Sequence, residues 1–341
     1  MSELATRPEL DGLLDRHRVE LTGYCYRMLG SSFDAEDAVQ EAYIRAWRSY
    51  DKFEGRSSVR SWLYRIATNV CLDMLSAGNK RARPMDLSAP QSQSSAVLNT
   101  LPEVTWLEPV PDGRVLPQTA DPAEMALARE SVRLAFVAAL QHLPSRQRAV
   151  LILREVLAWK ADEVAELLGT TVASVNSALQ RARATLAAQH LRESEAVDPL
   201  DEEQRKLLDR YLAAFEGYDI DQLTALLAED AVLSMPPFDL WLQGPADIAA
   251  WHREQGSGCK GSRMLATTAN GLPAFAQYRR SEDGDGHVPW ALQVLEISGG
   301  KIVGLNSFLD TDRWFPMFGL PDRLPAEPVT DRVTDPVDEP A

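Results

Sequence analysis

The chain has 341 residues, of which 45% are hydrophobic, and a formal net charge of −15. It is too long for one small domain, so we expect two or three domains with cores of their own. The charge is uneven: residues 1–195 carry 25 acidic and 23 basic side chains, a net −2, and residues 196–341 carry 25 and 12, a net −13. A polyanion would be repelled by the second part, so only the first part is expected to lie on nucleic acid.

The three cysteines, Cys25, Cys71 and Cys259, are far apart in the chain and form no CxxC pattern or Cys/His cluster. This spacing suits a reducing compartment and gives no sign of a metal site. The N-terminal segment lacks the apolar core of a signal peptide, and no apolar run is long enough to cross a bilayer. We therefore expect a cytoplasmic protein that has no metal, no cofactor and no membrane contact.

Residues 8–83 are predicted to form helices. After FDAEDAVQEAYIRAWRSY begins, apolar residues recur at helical spacing, namely Val39, Tyr43, Ala46, Trp47 and Tyr50. Asp34 is predicted to cap this helix. Asp37 and Glu41 are four residues apart and should share one acidic face.

The segment VRSWLYRIATNVCLDML is predicted to be a second helix, on which Trp62, Ile66 and Val70 form one core-facing stripe. A basic loop, AGNKRAR, follows it. From residue 84 to 122 the chain is rich in Pro, Ser and Gln, which is typical of a linker. Within this linker TWLEPVPDG contains Trp106 and Leu107, and an aromatic side chain in such a segment usually docks on a surface.

Residues 123–192 are again predicted to be helical, and WKADEVAELLGTTVASVNSALQRARATL should form two helices joined by a positive-φ turn at Gly169. The second helix packs through Val172, Val175, Leu179, Ala182 and Leu186. Its opposite side carries Ser174, Asn176, Ser177, Gln180, Arg181 and Arg183. This pattern predicts a DNA-binding helix-turn-helix, with an ordinary helical hairpin as the alternative. Upstream, Arg146, Arg148 and Arg154 suit a support helix across a DNA backbone.

LPSRQRAVLILREV followed by this helix-turn-helix resembles region 4 of bacterial sigma-70 family factors. FDAEDAVQEAYIRAWRSYDKFEGRSSVRSWLYRIATNVCLDML resembles region 2. The presence of these two regions alone is the layout of the extracytoplasmic-function group. This group usually has Arg-Asn after RIA, whereas this sequence has Thr68-Asn69, so we expect one phosphate contact to be missing.

The resemblance implies core RNA polymerase and promoter DNA as partners. The helix with Asp37 and Glu41 would dock on the coiled coil (clamp helices) of the β′ subunit, and region 4 would meet the flap of the β subunit. The minus-ten element would be contacted by Arg60, Arg65, Asn69, Lys80, Arg81 and Arg83. The minus-thirty-five element would be contacted by Ser174, Asn176, Ser177, Gln180, Arg181 and Arg183.

From residue 201 two helices precede strands predicted in AVLSMPPF, AFAQYRR, HVPWALQVLEISGG and KIVGLNSFLD. Together with the helix in GPADIAAWHREQG, this layout resembles the SnoaL-like branch of the nuclear-transport-factor-2-like fold, a cone with an inner cavity. Sigma factors with this appended domain form a subgroup that carries a linker motif similar to the Trp-Leu-Glu-Pro found here. The subgroup is thought to use the domain in place of a separate anti-sigma protein.

Pocket-lining residues predicted for this cone are Trp241, His252, His287, Trp290 and Trp314. The two histidines, Asp239 and Asp310 are the acid–base candidates, but a lone His is more often hydrogen-bonded than catalytic. We therefore assign no catalytic residue and expect a regulatory ligand or interdomain docking. The alternatives are an isomerase- or cyclase-like enzyme, or a ligand sensor, fused to a DNA-binding region. A free-standing repressor would leave the region 2 segments unexplained.

The predicted architecture is multidomain, with two all-α sigma domains and an α+β SnoaL-like cone. Its predicted parts are region 2 at 8–83, a linker at 84–122, region 4 at 123–195, the cone at 201–320 and a disordered tail at 321–341.

Overall fold

The computed structural model describes residues 7–188 and 202–326, apart from 54, 56, 78, 79, 93–95 and 118–120. Most of the predicted tail therefore lies outside the described residues. Three helices form the first helical unit: α1 Arg7–Leu29, α2 Ser32–Ser49 and α3 Val59–Ala77. Two short helices lie in the predicted linker, α4 Pro84–Leu87 and α5 Asp112–Val115. The second helical unit contains α6 Pro122–Glu130, α7 Leu134–Gln141, α8 Ser145–Leu151, α9 Ala161–Leu168 and α10 Val172–Ala187.

The start of α2 differs from the predicted one. Ser31 is its N-cap, and the Ser31 hydroxyl accepts a hydrogen bond from the Asp34 backbone N–H at 3.0 Å. Asp34 lies in the first turn, where its carboxylate suits the positive end of the helix dipole. The prediction of an Asp34 cap was therefore wrong by one turn, because an equally good capping residue stands three positions earlier.

The helix-turn-helix forms as predicted. Gly169 ends α9 with φ +60°, and the Thr171 side chain caps α10 by accepting from the Ser174 N–H at 3.2 Å. Val175, Leu179 and Ala182 are buried on the packed side of α10. Val172 was expected there, but it is 43% exposed because it is the first residue of the helix, before the buried stripe begins.

The C-terminal domain wraps a six-stranded sheet around helices α11 Glu202–Glu216, α12 Ile220–Ala225 and α13 Pro245–Arg253. Its strands are β1 Leu227–Ser234, β2 Trp241–Gln243, β3 Arg263–Ala269, β4 Leu272–Arg280, β5 His287–Ser298 and β6 Lys301–Phe308. They lie in the order β2-β1-β6-β5-β4-β3. Only β1 and β6 pair in parallel, and the other neighbours are antiparallel.

Two strands and one helix of this domain were not predicted. Strand β2 has only three residues, which is shorter than a sequence pattern reveals. Strand β3 is mostly half-exposed, and the last helix, α14 Thr311–Phe318, contains Pro316. No helix within the described ranges is long and apolar enough to cross a membrane.

The sheet separates two apolar clusters. Phe215, Trp251 and Phe275 belong to the cluster inside the cone. Tyr278 and Trp314 belong to the cluster on its outer face, which also includes Leu134 of α7. The outer face is thus packed against the helical part of the chain.

Candidate functional site

The recognition helix α10 presents its predicted DNA-contacting side chains together. All six are exposed: Ser174, Asn176, Ser177, Gln180, Arg181 and Arg183. Arg183 forms an ion pair with Glu155 at 2.5 Å. The outer side of α10 is therefore an open polar surface with small, amide and guanidinium groups, the side chains that bond base edges and phosphates.

The predicted minus-ten residues of α3 are less accessible. Asn69 is exposed, but Arg60 and Arg65 are half-buried. Arg60 pairs with Glu20 of α1 at 2.9 Å, and Arg65 lies 3.3 Å from Glu166 of α9. Both guanidinium groups thus already have acidic partners within the chain.

The basic residues of the loop after α3 also differ in exposure. Lys80 is exposed, and Arg83 forms an ion pair with Asp86 at 3.1 Å. Arg81 is only 7% exposed, and it binds Asp34 at 2.7 Å and Glu108 at 3.2 Å. The prediction that Arg81 contacts DNA disagrees with this placement, because a long-range partner 27 residues later draws it inward.

Thr68, which replaces the usual Arg of the group, points into the core. It is 1% exposed, it donates to the Tyr64 carbonyl at 2.6 Å, and its hydroxyl lies 2.8 Å from that of Tyr24. An outward phosphate contact was expected to be missing at this position. In this structure position 68 does not face solvent at all, so the exposed member of the pair is Asn69.

On α2, Asp37 is exposed and Glu41 is half-buried one turn later. Glu41 pairs with Arg45 at 2.7 Å. Two large apolar side chains of the same helix are also exposed, Ile44 at 45% and Trp47 at 38%. Exposed apolar groups beside acidic ones are typical of a protein-binding surface.

The two helical units contact each other directly. The rings of Tyr64 and Trp159 lie 5.0 Å apart, and the Arg60 guanidinium lies 5.3 Å from the centre of the Trp159 ring. Arg148 was predicted to face a DNA backbone, but it is 2% exposed and donates to the Met28 carbonyl of α1. Its other acceptors belong to Gln141 and Leu143 of its own unit, so the single bond to Met28 links α8 to α1.

A buried carboxylate, Glu108, joins three parts of the chain. It is 1% exposed and accepts hydrogen bonds from the Ser31 hydroxyl at 2.6 Å and the Ser32 N–H at 3.1 Å. Arg81 and Arg313 each donate to its second oxygen at 3.2 Å. Region 2, the linker and the C-terminal domain therefore meet at the Glu108 carboxylate.

Trp106 and Leu107, the two residues before Glu108, contact different parts of the protein. Leu107 belongs to the apolar core of the helical units. Trp106 is 4% exposed and borders a void of about 10 Å³ with Phe308 and Trp314 of the C-terminal domain. The indole N–H has no hydrogen-bond partner within the described residues, so its anchoring is apolar. The linker residues 106–108 are thus packed, not free.

The tightest junction is made by Asn270, at the turn between β3 and β4. Asn270 and Gly271 both have positive φ, +57° and +70°, as the two-residue Asn-Gly hairpin turn requires. The buried Asn270 amide accepts from the Val110 N–H at 3.1 Å and donates to the Tyr26 hydroxyl at 2.6 Å and the Val132 carbonyl at 2.9 Å.

Sequence reasoning missed Asn270. The Asn-Gly dipeptide is a signal for a hairpin turn, but β3 was not predicted and the turn was therefore not placed. Beside it, the Gly271 N–H donates to Asp112 of α5 at 2.7 Å, and burial raises the pKa of that carboxyl.

The cone encloses a cavity of about 260 Å³. Of the five predicted pocket residues, His252 and Trp290 line it. His252 is buried, its Nδ1 lies 2.8 Å from the Ile248 carbonyl, and burial lowers its pKa.

The other three predicted pocket residues lie elsewhere. Trp241 donates to the Ser88 carbonyl of the linker at 3.0 Å. Trp314 is tilted against Phe33 of α2 at 5.8 Å. His287 is the first residue of β5, where it forms a bridge with Leu324. Trp241 and Trp314 instead pack against the linker and α2. A local sequence pattern does not reveal such long-range partners.

The acid–base candidates are not brought together. Asp239 is 3.3 Å from the Asn99 amide of the linker. Asp310 lies near Trp106, and burial raises the pKa of its carboxyl. No group of three or more His, Cys, Asp or Glu side chains in the described ranges could hold a metal.

Three family models match the chain: sigma-70 region 2 at residues 13–81, sigma-70 region 4 at 133–186, and a SnoaL-like domain at 208–305. The ECF RNA polymerase sigma factor SigG of Mycobacterium tuberculosis is 47% identical over 93% of this chain and 85% of its own length. SigJ of the same species is 28% identical over 87% of this chain and 90% of its own.

The crystal structure of SigJ superposes with a TM-score of 0.59, covering 92% of this chain and all of that one at 22% identity. That likeness shows a shared fold from the first helical unit through the cone. The identity to SigG and the matched regions show more. The chain belongs to the extracytoplasmic-function family of RNA polymerase sigma factors, which bind core polymerase and direct it to promoters, and it carries a SnoaL-like domain at its C-terminus.

Proposed function

We propose that the SnoaL-like domain regulates this sigma factor by holding regions 2 and 4 together in a closed arrangement that must open at a promoter. One observation carries the proposal. The Asn270 amide bonds at the same time to Tyr26 of region 2, Val110 of the linker and Val132 at the start of region 4. A single turn of the C-terminal domain therefore spans every part that has to move.

The distance between the promoter elements supports the need for opening. Elements centred near minus ten and minus thirty-five lie about 25 base pairs apart, or about 85 Å along B-form DNA. In the closed arrangement Arg65 of region 2 touches Glu166 of region 4 at 3.3 Å. Regions in direct contact cannot occupy both elements, so the Arg65–Glu166 and Tyr64–Trp159 contacts must separate.

The closed arrangement also gives the regulation a direction, which the sequence leaves open. Arg60 and Arg65, predicted to meet the minus-ten element, are occupied by Glu20 and Glu166. The Glu20 pair lies within region 2, but Arg65 would have to leave Glu166 and Arg60 would have to leave the Trp159 ring, both of region 4, to meet DNA. The closed arrangement therefore restrains promoter binding. Asn69 and Lys80 remain the exposed candidates for minus-ten contacts.

For the polymerase we propose the α2 surface formed by Asp37, Glu41, Ile44 and Trp47. Its acids would meet a basic partner, and its two exposed apolar side chains would supply buried area. This composition supports docking on the clamp helices of the β′ subunit, while region 4 would meet the β-subunit flap. The protein would act in the cytoplasm with the polymerase.

We further propose that the cone works without catalysis. The acid–base candidates point to different partners: His252 to the Ile248 carbonyl and Asp239 to Asn99. A general acid and base must both reach one substrate. The enzyme alternative has no observation of this kind in its favour.

The test is Asn270→Gly, which keeps a residue suited to positive φ and removes only the amide. Gly300→Asn is the matched control, since it alters the comparable exposed β5–β6 turn, where a Cβ meets nothing within 4 Å. Initiation is measured by run-off transcription at equal core occupancy. Asn270→Gly should raise promoter output severalfold, and Gly300→Asn should leave it unchanged. Unchanged or lower output from Asn270→Gly, with the fold intact, would contradict the proposal.

A further inference from the structure

Apolar side chains form much of the lining of the cone cavity. Its apolar lining comes from both the helices and the sheet and includes Phe215, Leu233, Met235, Phe238, Trp251 and Leu309. Its volume, about 260 Å³, is just below the range of about 300–1,000 Å³ usual for drug-sized ligands. The cavity therefore suits a small molecule with an aromatic or short aliphatic body.

The cavity lining includes the cationic side chain of Arg279. Strand β4 alternates, so that Phe275, Gln277 and Arg279 face inward while Tyr278 belongs to the outer cluster. The Arg279 guanidinium carbon lies 3.2 Å from the centre of the Trp290 ring. Trp290 therefore holds the planar group in place at the cavity wall.

Some of the N–H donors of Arg279 lack a strong acceptor. One Nη donates to the Cys259 sulfur at 3.1 Å, a weak acceptor, and its buried Nε has no partner within the described residues. Gly258 makes room for the group, since a Cβ there would lie 3.2 Å from an Arg279 Nη. No Asp or Glu lines the cavity in the part of the chain that the structure describes.

The neighbouring amides do not compensate this charge. Gln293 donates to Gln277 at 2.9 Å, Gln277 donates to Ser262 at 3.0 Å, and Gln293 accepts from Tyr211 at 2.6 Å. Their amide groups are thus bonded to one another. A buried guanidinium donor without an acceptor is costly, and an anion entering the cavity would remove that cost.

We propose that the cone is a binding site for a small amphipathic carboxylate, whose anionic head is held by Arg279 and whose apolar body packs against the apolar lining. Guanidinium and carboxylate match in charge and in planar geometry. Leu98 of the linker also lines the cavity, so the occupant touches the segment that joins regions 2 and 4. The binding claim stands apart from the proposed regulation and is tested separately from it.

Isothermal titration of the full chain with octanoate, hexanoate and phenylacetate tests the site, beside the neutral amides of the same three acids. The carboxylates should bind the unaltered chain at least about tenfold more tightly than the amides, as a charge-assisted bond in a partly buried site implies. Arg279→Gln should remove that preference, and Arg279→Lys should keep part of it.

Arg280→Gln is the matched control, because Arg280 is the next residue of β4 and is exposed on the other side. It should bind all six probes as the unaltered chain does. Equal affinity for acids and amides in the unaltered chain would overturn the proposal without any variant. So would carboxylate binding that Arg279→Gln leaves unchanged, since the ion would then be held elsewhere.

Discussion

The two surfaces predicted to contact DNA differ in how accessible their side chains are. On α10 all six predicted minus-thirty-five residues are exposed. On α3 and the loop after it, Arg60, Arg65 and Arg81 are bound to acids within the chain. The comparison shows an open recognition helix beside a minus-ten surface whose cations are held by acids of region 2, the linker and, for Arg65 alone, region 4.

Of the substitutions considered, removal of the Glu108 carboxylate should have the largest effect, because Glu108 binds Arg81 beside the predicted minus-ten surface. Glu108→Ala removes the anion shared by the buried Arg81 and the half-buried Arg313, which keep Asp34 and Glu103 as partners. The loss should therefore lie near the lower end of the about 3–5 kcal/mol that breaking a buried pair costs. Chemical denaturation should show that loss in the free energy of unfolding. Glu103→Ala is the control: it removes a half-exposed carboxylate 2.7 Å from Arg313 and should cost less than about 1 kcal/mol. Equal small losses for the two variants would mean that the junction is not held by Glu108.

Trp106→Ala should loosen the C-terminal domain from the linker. Truncation of a buried Trp costs about 3–5 kcal/mol, and here part of that cost should fall on the docking of the cone against residues 106–108. We expect altered promoter output with the fold of each part retained, checked by run-off transcription and circular dichroism. Val104→Ala, which truncates an exposed apolar side chain two residues earlier in the linker, is the control and should leave output and fold unchanged. Unchanged output from Trp106→Ala would argue that the Trp is only a structural filler.

Substitutions on the recognition helix α10 should have smaller effects, and these should not depend on the closed arrangement. Arg181→Ala and Gln180→Ala should each weaken binding to the minus-thirty-five element by about 1–3 kcal/mol if a base contact is lost. Promoter titration with the holoenzyme measures this. Arg210→Ala changes an exposed Arg of the C-terminal domain and should have no effect. Wild-type affinity and selectivity in both α10 variants would mean that this face is merely solvated.

Local patterns predicted the parts of the molecule that local physics decides. The αL turn at Gly169 and the Val175–Leu179–Ala182 stripe of α10 follow from spacing alone. Strands β4 to β6 were predicted from their runs of apolar residues. Short β2 and half-exposed β3 lacked such a pattern, and so the turn at Asn270 was missed.

The contacts that decide accessibility were not predictable, because their partners lie far apart in sequence. Arg81 meets Glu108 across 27 positions and Asn270 meets Tyr26 across 244. Basic residues next to a DNA-reading helix therefore look alike in sequence whether they face solvent, as Lys80 does, or a buried acid, as Arg81 does. The burial of Thr68 was not predictable for the same reason, since Tyr24, whose hydroxyl it contacts, lies on another helix.

The distance between regions 2 and 4 in the free full-length chain tests the central claim most directly. Dyes on Asp51→Cys and Ala187→Cys, two exposed positions in regions 2 and 4, report it by resonance energy transfer; the three native cysteines are buried. The closed arrangement predicts high transfer in the otherwise unaltered chain, lower transfer with Asn270→Gly, and the lowest on promoter-bound holoenzyme. Low transfer in the free chain, or transfer that Asn270→Gly does not change, would contradict it.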